Sequence, residues 1–389
     1  MVALANRLND IAPFYVMDIL SKAKALEAKG EDIIHLEVGE PDFPDLPEVA
    51  QAGANAILAG NTKYTASAGL IELREKLSQY YQSEFNTTIN PNRIFITPGA
   101  SSGLMLALSL ILDTSDTMVI TEPGYPCNQH FIDLLGAKHA AIPIDARQNF
   151  KVTQSLIEQY WTAANKGLLI ASPANPTGAV LDDEEIHLLT NHANKIKSQL
   201  IVDEIYQGLT HNNSNSTALS VSDQTIVINS FSKFFSMTGW RIGWIVVPEH
   251  MIEAADKLAQ NLYLSAPTPA QYAAIRALDD DCIQQFKQRA KQFTQRRDYL
   301  LPELKKLGFK IEQPCDGAFY IYADASAFTK DSMQFCQDLL EHTGVAITPG
   351  KDFRGFQSNQ MVRIAYTSEI ARLKQAIERI SIYLKGLIS

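Results

Sequence analysis

Five short, predominantly apolar runs constrain this chain more than anything else in it: Met118–Thr121, His139–Ile144, Leu168–Ser172, Leu200–Asp203 and Thr225–Asn229. Most are apolar at successive rather than alternate positions, which suits strands buried on both faces. Stretches of helical or loop character separate them. The pattern predicts an α/β fold built on a mainly parallel sheet with helices on each side. Asn92–Thr97 reads as a further strand, followed by small residues and the helix Leu104–Leu112. In such sheets ligands bind beyond the carboxyl ends of the strands, and the polar residues collect there. Asn175 follows Leu168–Ser172, Asp203 and Tyr206 follow Leu200–Val202, Tyr125 follows Met118–Thr121, and Ser230 and Lys233 follow Thr225–Asn229.

The densest of these sites is Ser230–Gly243, SFSKFFSMTGWRIG. A lysine among small hydroxyl residues, with Arg241 close behind, suits an aldehyde that also carries a phosphate. The amine can condense with the aldehyde as a Schiff base. The guanidinium fork of Arg241 and the hydroxyls of Ser230 and Ser232 can hold the phosphate. Pyridoxal 5′-phosphate (PLP) is that ligand. The four residues Ser230–Lys233 also fit S-x-x-K, the acylating motif of penicillin-binding proteins, but S-D-N and K-T-G do not follow downstream.

PLP chemistry makes further demands. A protonated ring nitrogen needs a buried carboxylate, for which Asp203 is the candidate, with a helix N-cap as its rival role. Asn175 and Tyr206 can donate to the ring oxygen, although Asn175-Pro176 also reads as an ordinary turn. Tyr125 is placed to stack on the ring. Arg363, between Val362 and Ile364, can grip a carboxylate; the same pattern also fits a surface arginine. Gly39 ends the strand Ile33–Gly39 and permits close backbone approach.

The rest of the chain bounds the answer. A net charge of −9 and a pI near 5.4 argue against a nucleic-acid partner. No apolar run is long enough to span a bilayer, and the opening segment lacks the apolar core of a leader. The four cysteines are scattered and the histidines form no H-E-x-x-H, so a cytoplasmic enzyme without a metal is expected. After residue 280 the character changes. Cys282–Leu307 reads as a long helix with a solvated basic face (Arg289, Lys291, Arg296, Arg297), and Phe309–Glu312, Phe319–Tyr322, Ala346–Thr348 and Met361–Ala365 read as short strands of a smaller α+β domain.

From Ile33 onward the chain resembles the class I/II, aspartate aminotransferase-like, fold-type I PLP enzymes. The likeness is carried by EVGEPDFP, KYTASAGLIELR, TPGASSGL, EPGYP, SPANPTG, IVDEIY, SFSKFFSMTGWRIGW, DGAFY, TPGKDF and VRIAYT. It implies a large domain, 45–280, with a seven-stranded mainly parallel sheet, and a small α+β domain formed by 1–44 and 281–389. It implies that Lys233 holds the cofactor and moves a proton during turnover, and that Asp203 pairs the ring nitrogen. Asn175 and Tyr206 would bind the ring oxygen and Tyr125 would stack. Ala100, Ser101, Ser230 and Arg241 would bind phosphate, with Tyr64 reaching over from a partner subunit of a homodimer. Gly39 and Arg363 would grip the substrate carboxylate. The implied reaction is ping-pong transfer of an amino group from an L-amino acid to a 2-oxo acid, with glutamate and 2-oxoglutarate as one couple. A carbon–sulfur β-lyase on the same fold is the alternative. The chain departs from the aspartate enzymes at Asn261–Ser265, which matches a loop bearing a side-chain-binding arginine and here has none. That departure argues against strict aspartate specificity.

Overall fold

A computed structural model describes residues 2, 4–9, 11–211 and 216–388. Its centre is a seven-stranded sheet: β1 (Ile94–Thr97), β2 (Thr117–Glu122), β3 (Lys138–Pro143), β4 (Gly167–Ala171), β5 (Gln199–Asp203), β6 (Ile226–Ser230) and β7 (Gly243–Val246). The spatial order is β1-β7-β6-β5-β4-β2-β3, and every pairing is parallel except those of β7. β5 and β6 are fully buried along their central residues, as their continuous apolar sequence requires. The sheet strands thus have the parallel, doubly covered character expected. The seventh strand is not set apart in the sequence: Gly243–Val246 follows directly on the arginine motif and runs back antiparallel between β6 and β1.

Helix α1 (Gly99–Ile111) follows β1. It starts well before Leu104, so the small residues Ala100 and Ser101 form its first turn rather than a preceding loop. Their size lets the helix pack tightly on β6 and β7; Gly103 lies against Ile228.

The second layer is an antiparallel three-stranded sheet of β8 (Tyr320–Asp324), β9 (Thr348–Pro349) and β10 (Met361–Ala365), with β10 central. Two short segments, Ile34–His35 and Val345–Ala346, pair in parallel beside it. In the remainder of the expected strand Ile33–Gly39, the Leu36 N–H still donates to Ala346 O and its carbonyl accepts from the Ala365 N–H, and the chain then bends at Glu37. Phe309–Glu312 is no strand, since only Lys310 makes an isolated bridge, to Asp324. No described helix is long and apolar enough to cross a membrane.

Helix α2 (Asp280–Leu307) corrects the reading of a uniformly solvated basic face. Arg296 is only 3% exposed. Its two terminal nitrogens donate to the two carboxylate oxygens of Asp42 at 2.6 and 2.9 Å, and its guanidinium lies 5.0 Å from the Phe43 ring and 5.2 Å from Phe293. This bidentate pair pins the segment after Gly39 to α2. Removing one partner leaves the other charge half-buried and unpaired. Arg296→Ala should therefore cost about 3 kcal/mol of stability, seen in denaturant unfolding, with Arg296→Lys recovering part of it. A loss below about 1 kcal/mol would show that the pair holds nothing.

Candidate active site

The carboxyl ends of β4, β5 and β6 and the first turn of α1 surround a cavity of about 200 Å³. Ala100, Ser101, Tyr125, Asn175, Asp203, Tyr206, Ser232, Lys233 and Arg241 all line it. Nine of the sequence-derived candidates, scattered from 100 to 241, thus share one wall. β5 explains which of two adjacent acids is presented. Asp203 faces the cavity, whereas the neighbouring Glu204 is turned away and bonds Thr217 Oγ1 at 2.9 Å and the Ala218 N–H at 2.7 Å.

At one end of the cavity, the α1 N-terminus meets Arg241. Gly99 has φ +76°, and a Cβ there would collide with the Arg241 guanidinium. Only glycine admits the arginine this close to the helix start. The helix N-terminus with its dipole, the Ser101 and Ser232 hydroxyls and a guanidinium meet at this part of the lining, an arrangement that favours an anion. Arg241 makes one bond, to Thr238 O at 3.0 Å, and has no carboxylate partner among the described residues. Ser230 stands one layer back. It is buried, does not line the cavity, and shares a hydrogen bond with the Ser232 hydroxyl at 2.9 Å. Its placement supports Ser232 rather than direct contact. It also removes the acylating-serine reading, because S-x-x-K here ends a strand and the serine is inaccessible.

At the centre, Lys233 Nζ donates to Gly39 O at 2.6 Å and lies 5.9 Å from the Tyr206 ring. Burial, the largest effect, pulls its pKa down to about 8. Burial likewise pushes Asp203 up to about 6, against a 3.0 Å hydrogen bond from the Ile205 N–H that favours the anion. Tyr206 shares a 2.7 Å hydrogen bond with the Tyr320 hydroxyl, and that hydroxyl occupies the space a Cβ on Gly39 would need.

Neither Gly39 nor Arg363 lines this cavity; Arg363, on β10, stands behind Asn175 and is no surface arginine but 3% exposed. Nη1 donates to Asn175 Oδ1 at 2.9 Å. Nη2 donates to Glu37 O at 2.6 Å and Thr348 Oγ1 at 3.2 Å. Its guanidinium lies 4.3 Å from the Tyr320 ring and 4.9 Å from Phe353. Nε is buried without a partner, and no carboxylate of the described residues is within ion-pair distance. Tyr320 was not singled out from sequence, although it sits in the quoted DGAFY motif. Tyr64 does not join this set; it is 80% exposed on the outer surface.

The aminotransferase class I and II family model matches residues 31–380. The chain belongs to that family. It is 38% identical to a (5-formylfuran-3-yl)methyl phosphate transaminase of Methanocaldococcus jannaschii, covering 98% of this chain and 99% of that one. It is 34% identical to a valine–pyruvate aminotransferase of Mycobacterium tuberculosis over 96% of this chain and 97% of that one. Among solved structures, an aminotransferase from Mycobacterium tuberculosis superposes with a TM-score of 0.95 at 34% identity, covering 99% of this chain and all of that one. The Thermus thermophilus aspartate aminotransferase with maleate gives 0.92 at 31% identity, over 98% of this chain and all of that one. This aminotransferase therefore has the fold-type I architecture, and its family works with PLP.

The lowered pKa of Lys233 has a measurable consequence. Only the neutral amine attacks an aldehyde, so capture of added PLP by cofactor-free protein should accelerate with pH and level off above about 8. At pH 7 roughly a tenth of the amine is then neutral, far more than for a lysine titrating near 10.4. A midpoint near 10 would contradict the burial described.

Proposed function

We propose that this aminotransferase uses PLP held on Lys233 to move the amino group of an L-amino acid to a 2-oxo acid, with glutamate and 2-oxoglutarate as one couple. The observation that carries the reading is the buried Arg363 guanidinium without a counter-ion, at the far side of a reactive amine from a phosphate-type cradle. A buried charge left unpaired is costly, and the α-carboxylate of an amino acid supplies the missing partner in bidentate form.

The residues fit the cofactor. Arg241, Ser232, Ser101 and the α1 N-terminus would take its phosphate, Tyr125 would cover the ring, and Asn175 and Tyr206 would take the ring oxygen. Asp203, held partly protonated by burial, lacks a cationic partner that a protonated ring nitrogen would provide. PLP supplies an aldehyde and an electron-withdrawing ring. The chain supplies the rest. Arg363 and Gly39 orient the substrate so that its Cα hydrogen faces Lys233. Once the substrate amine has displaced it from the cofactor, Lys233 Nζ would take that proton and return it on the other side of the amino nitrogen, at the carbon that had carried the aldehyde. Tyr206 and Asn175 fix the electron-accepting side of the site, and Asp203 stabilises positive charge opposite.

The proposal includes a homodimer, each chain of which has a large domain, 45–280, and a small one, 1–44 with 281–389. Ile57, Leu58, Tyr64, Leu262 and Leu264 are all exposed, and a second copy would cover such a face while delivering Tyr64 to the partner's phosphate site.

Lys233→Ala should abolish turnover and the visible band of the lysine-bound cofactor, and measurable residual turnover would sink the role given to Lys233. Asp203→Asn should keep the cofactor but lower kcat by about 10²-fold or more; an unchanged kcat would remove Asp203 from the chemistry.

A further inference from the structure

The segment following β9 contains an oddity. Arg354 has φ +54° and ψ −159°, a backbone conformation that glycine enters freely and other residues enter only under strain. Its neighbours hold it there. Phe353 lies 4.9 Å from the Arg363 guanidinium, and its carbonyl accepts the Gly124 N–H at 3.1 Å. Gly355 is pressed so close to Pro123 that a Cβ would stand 2.9 Å from its nitrogen. Gly124 leads directly into Tyr125 on the cavity wall. Arg354 is thus clamped between the carboxylate-binding arginine and the ring-covering tyrosine, while its side chain is exposed.

Two further features mark this rim. Among the described residues, neither Arg354 nor Lys351, two residues before Phe353, has a carboxylate within ion-pair distance. Lys351 rests 5.0 Å above the Tyr15 ring. His130, on the helix Cys127–Leu134, has its Nδ1 buried without a partner. Its pKa is lowered mainly by burial, with Asp133 pulling the other way and Arg354 and His139 adding to the fall. In a chain of net charge −9, Arg354 and Lys351 are thus two cations without an ion-pair partner among the described residues, while Asp352 between them is turned to the Tyr15 and Val16 N–H groups.

We propose that Arg354 is a specificity-determining residue that binds the second acid group of a dicarboxylic substrate, and that this cation comes from the same subunit. The inference rests on the aminotransferase reading above. A glycine would take this backbone without strain, so whatever Arg354 contributes comes from its side chain. Its fork can pair a distal carboxylate bidentately, with Lys351 adding to the field. It also accounts for a site that can take glutamate although Asn261–Ser265 contributes no arginine.

The test uses the PLP-loaded enzyme as wild type, Arg354→Gly and Arg354→Lys. The glycine variant relieves the strain, so its melting temperature should stay level or rise, which separates loss of recognition from loss of fold. Bleaching of the cofactor band is followed with glutamate and with alanine, and thermal stabilisation by the unreactive dicarboxylate maleate is measured against acetate. Expected is a fall of about tenfold or more in the glutamate-to-alanine ratio of kcat/KM for Arg354→Gly, carried by glutamate, with a smaller fall for Arg354→Lys. Maleate stabilisation should shrink in parallel. An unaltered ratio, an equal loss with both amino acids, or a wild type with no advantage for glutamate would each overturn the proposal. A wild type whose band responds to no amino acid would instead overturn the transaminase reading, and this inference with it.

Discussion

Burying a guanidinium with no carboxylate beside it costs several kcal/mol, and much of this protein is arranged to hold Arg363 in that state. β10 supplies the arginine and Asn175, after β4, accepts from one terminal nitrogen. Thr348 and the carbonyl of Glu37 accept from the other, while Tyr320 and Phe353 cover it with aromatic rings. All these acceptors are neutral. They satisfy hydrogen bonds without cancelling the charge, so the site keeps its attraction for an anion. The same economy governs Lys233 and Asp203, whose pKa values burial drives towards neutrality from opposite directions.

These groups come from two sheets, and the segment from Glu37 to Asp45 ties the sheets together. Glu37 O meets Arg363, Gly39 O meets Lys233, and the Glu40 carboxylate accepts from the Thr238 hydroxyl beside Arg241. Asp42 is fixed to Arg296 and Asp45 accepts from Trp240 Nε1 at 2.9 Å. The proposed carboxylate site, the amine of Lys233 and the proposed phosphate cradle therefore share one stretch of backbone. A displacement at any of its anchors should be felt at all three, which is the coupling a site that closes on its substrate requires.

Much of this was legible in the sequence because the relevant signals are local. Successive apolar residues gave the parallel strands, and polar residues directly after them gave most of the cavity wall. What escaped was set by tertiary context. Gly243–Val246 is too short and too entangled with the arginine motif to read as a strand, yet β6 and β1 need it between them. Ala100 and Ser101 look like a loop because they stand between Pro98-Gly99 and Gly103, which read as turn residues, yet the helix already starts at Gly99. Arg296 sits in a highly charged helix, so nothing local separates it from solvated neighbours; Asp42, far away in sequence, decides its burial. Ser230 is adjacent in sequence to the cradle but is turned behind Ser232 by its place at the end of β6. Tyr64 lies outside this chain's own cavity and is exposed.

The central claim is that a buried amine and a buried guanidinium together perform amino-group transfer, and one experiment meets it directly. Purified PLP-loaded protein is mixed with glutamate and no oxo acid, while the cofactor spectrum and the released products are followed. The account requires the visible band to bleach and one 2-oxoglutarate to appear per active site, then stop until an oxo acid is added. Continued release of ammonia while the band persists would contradict it.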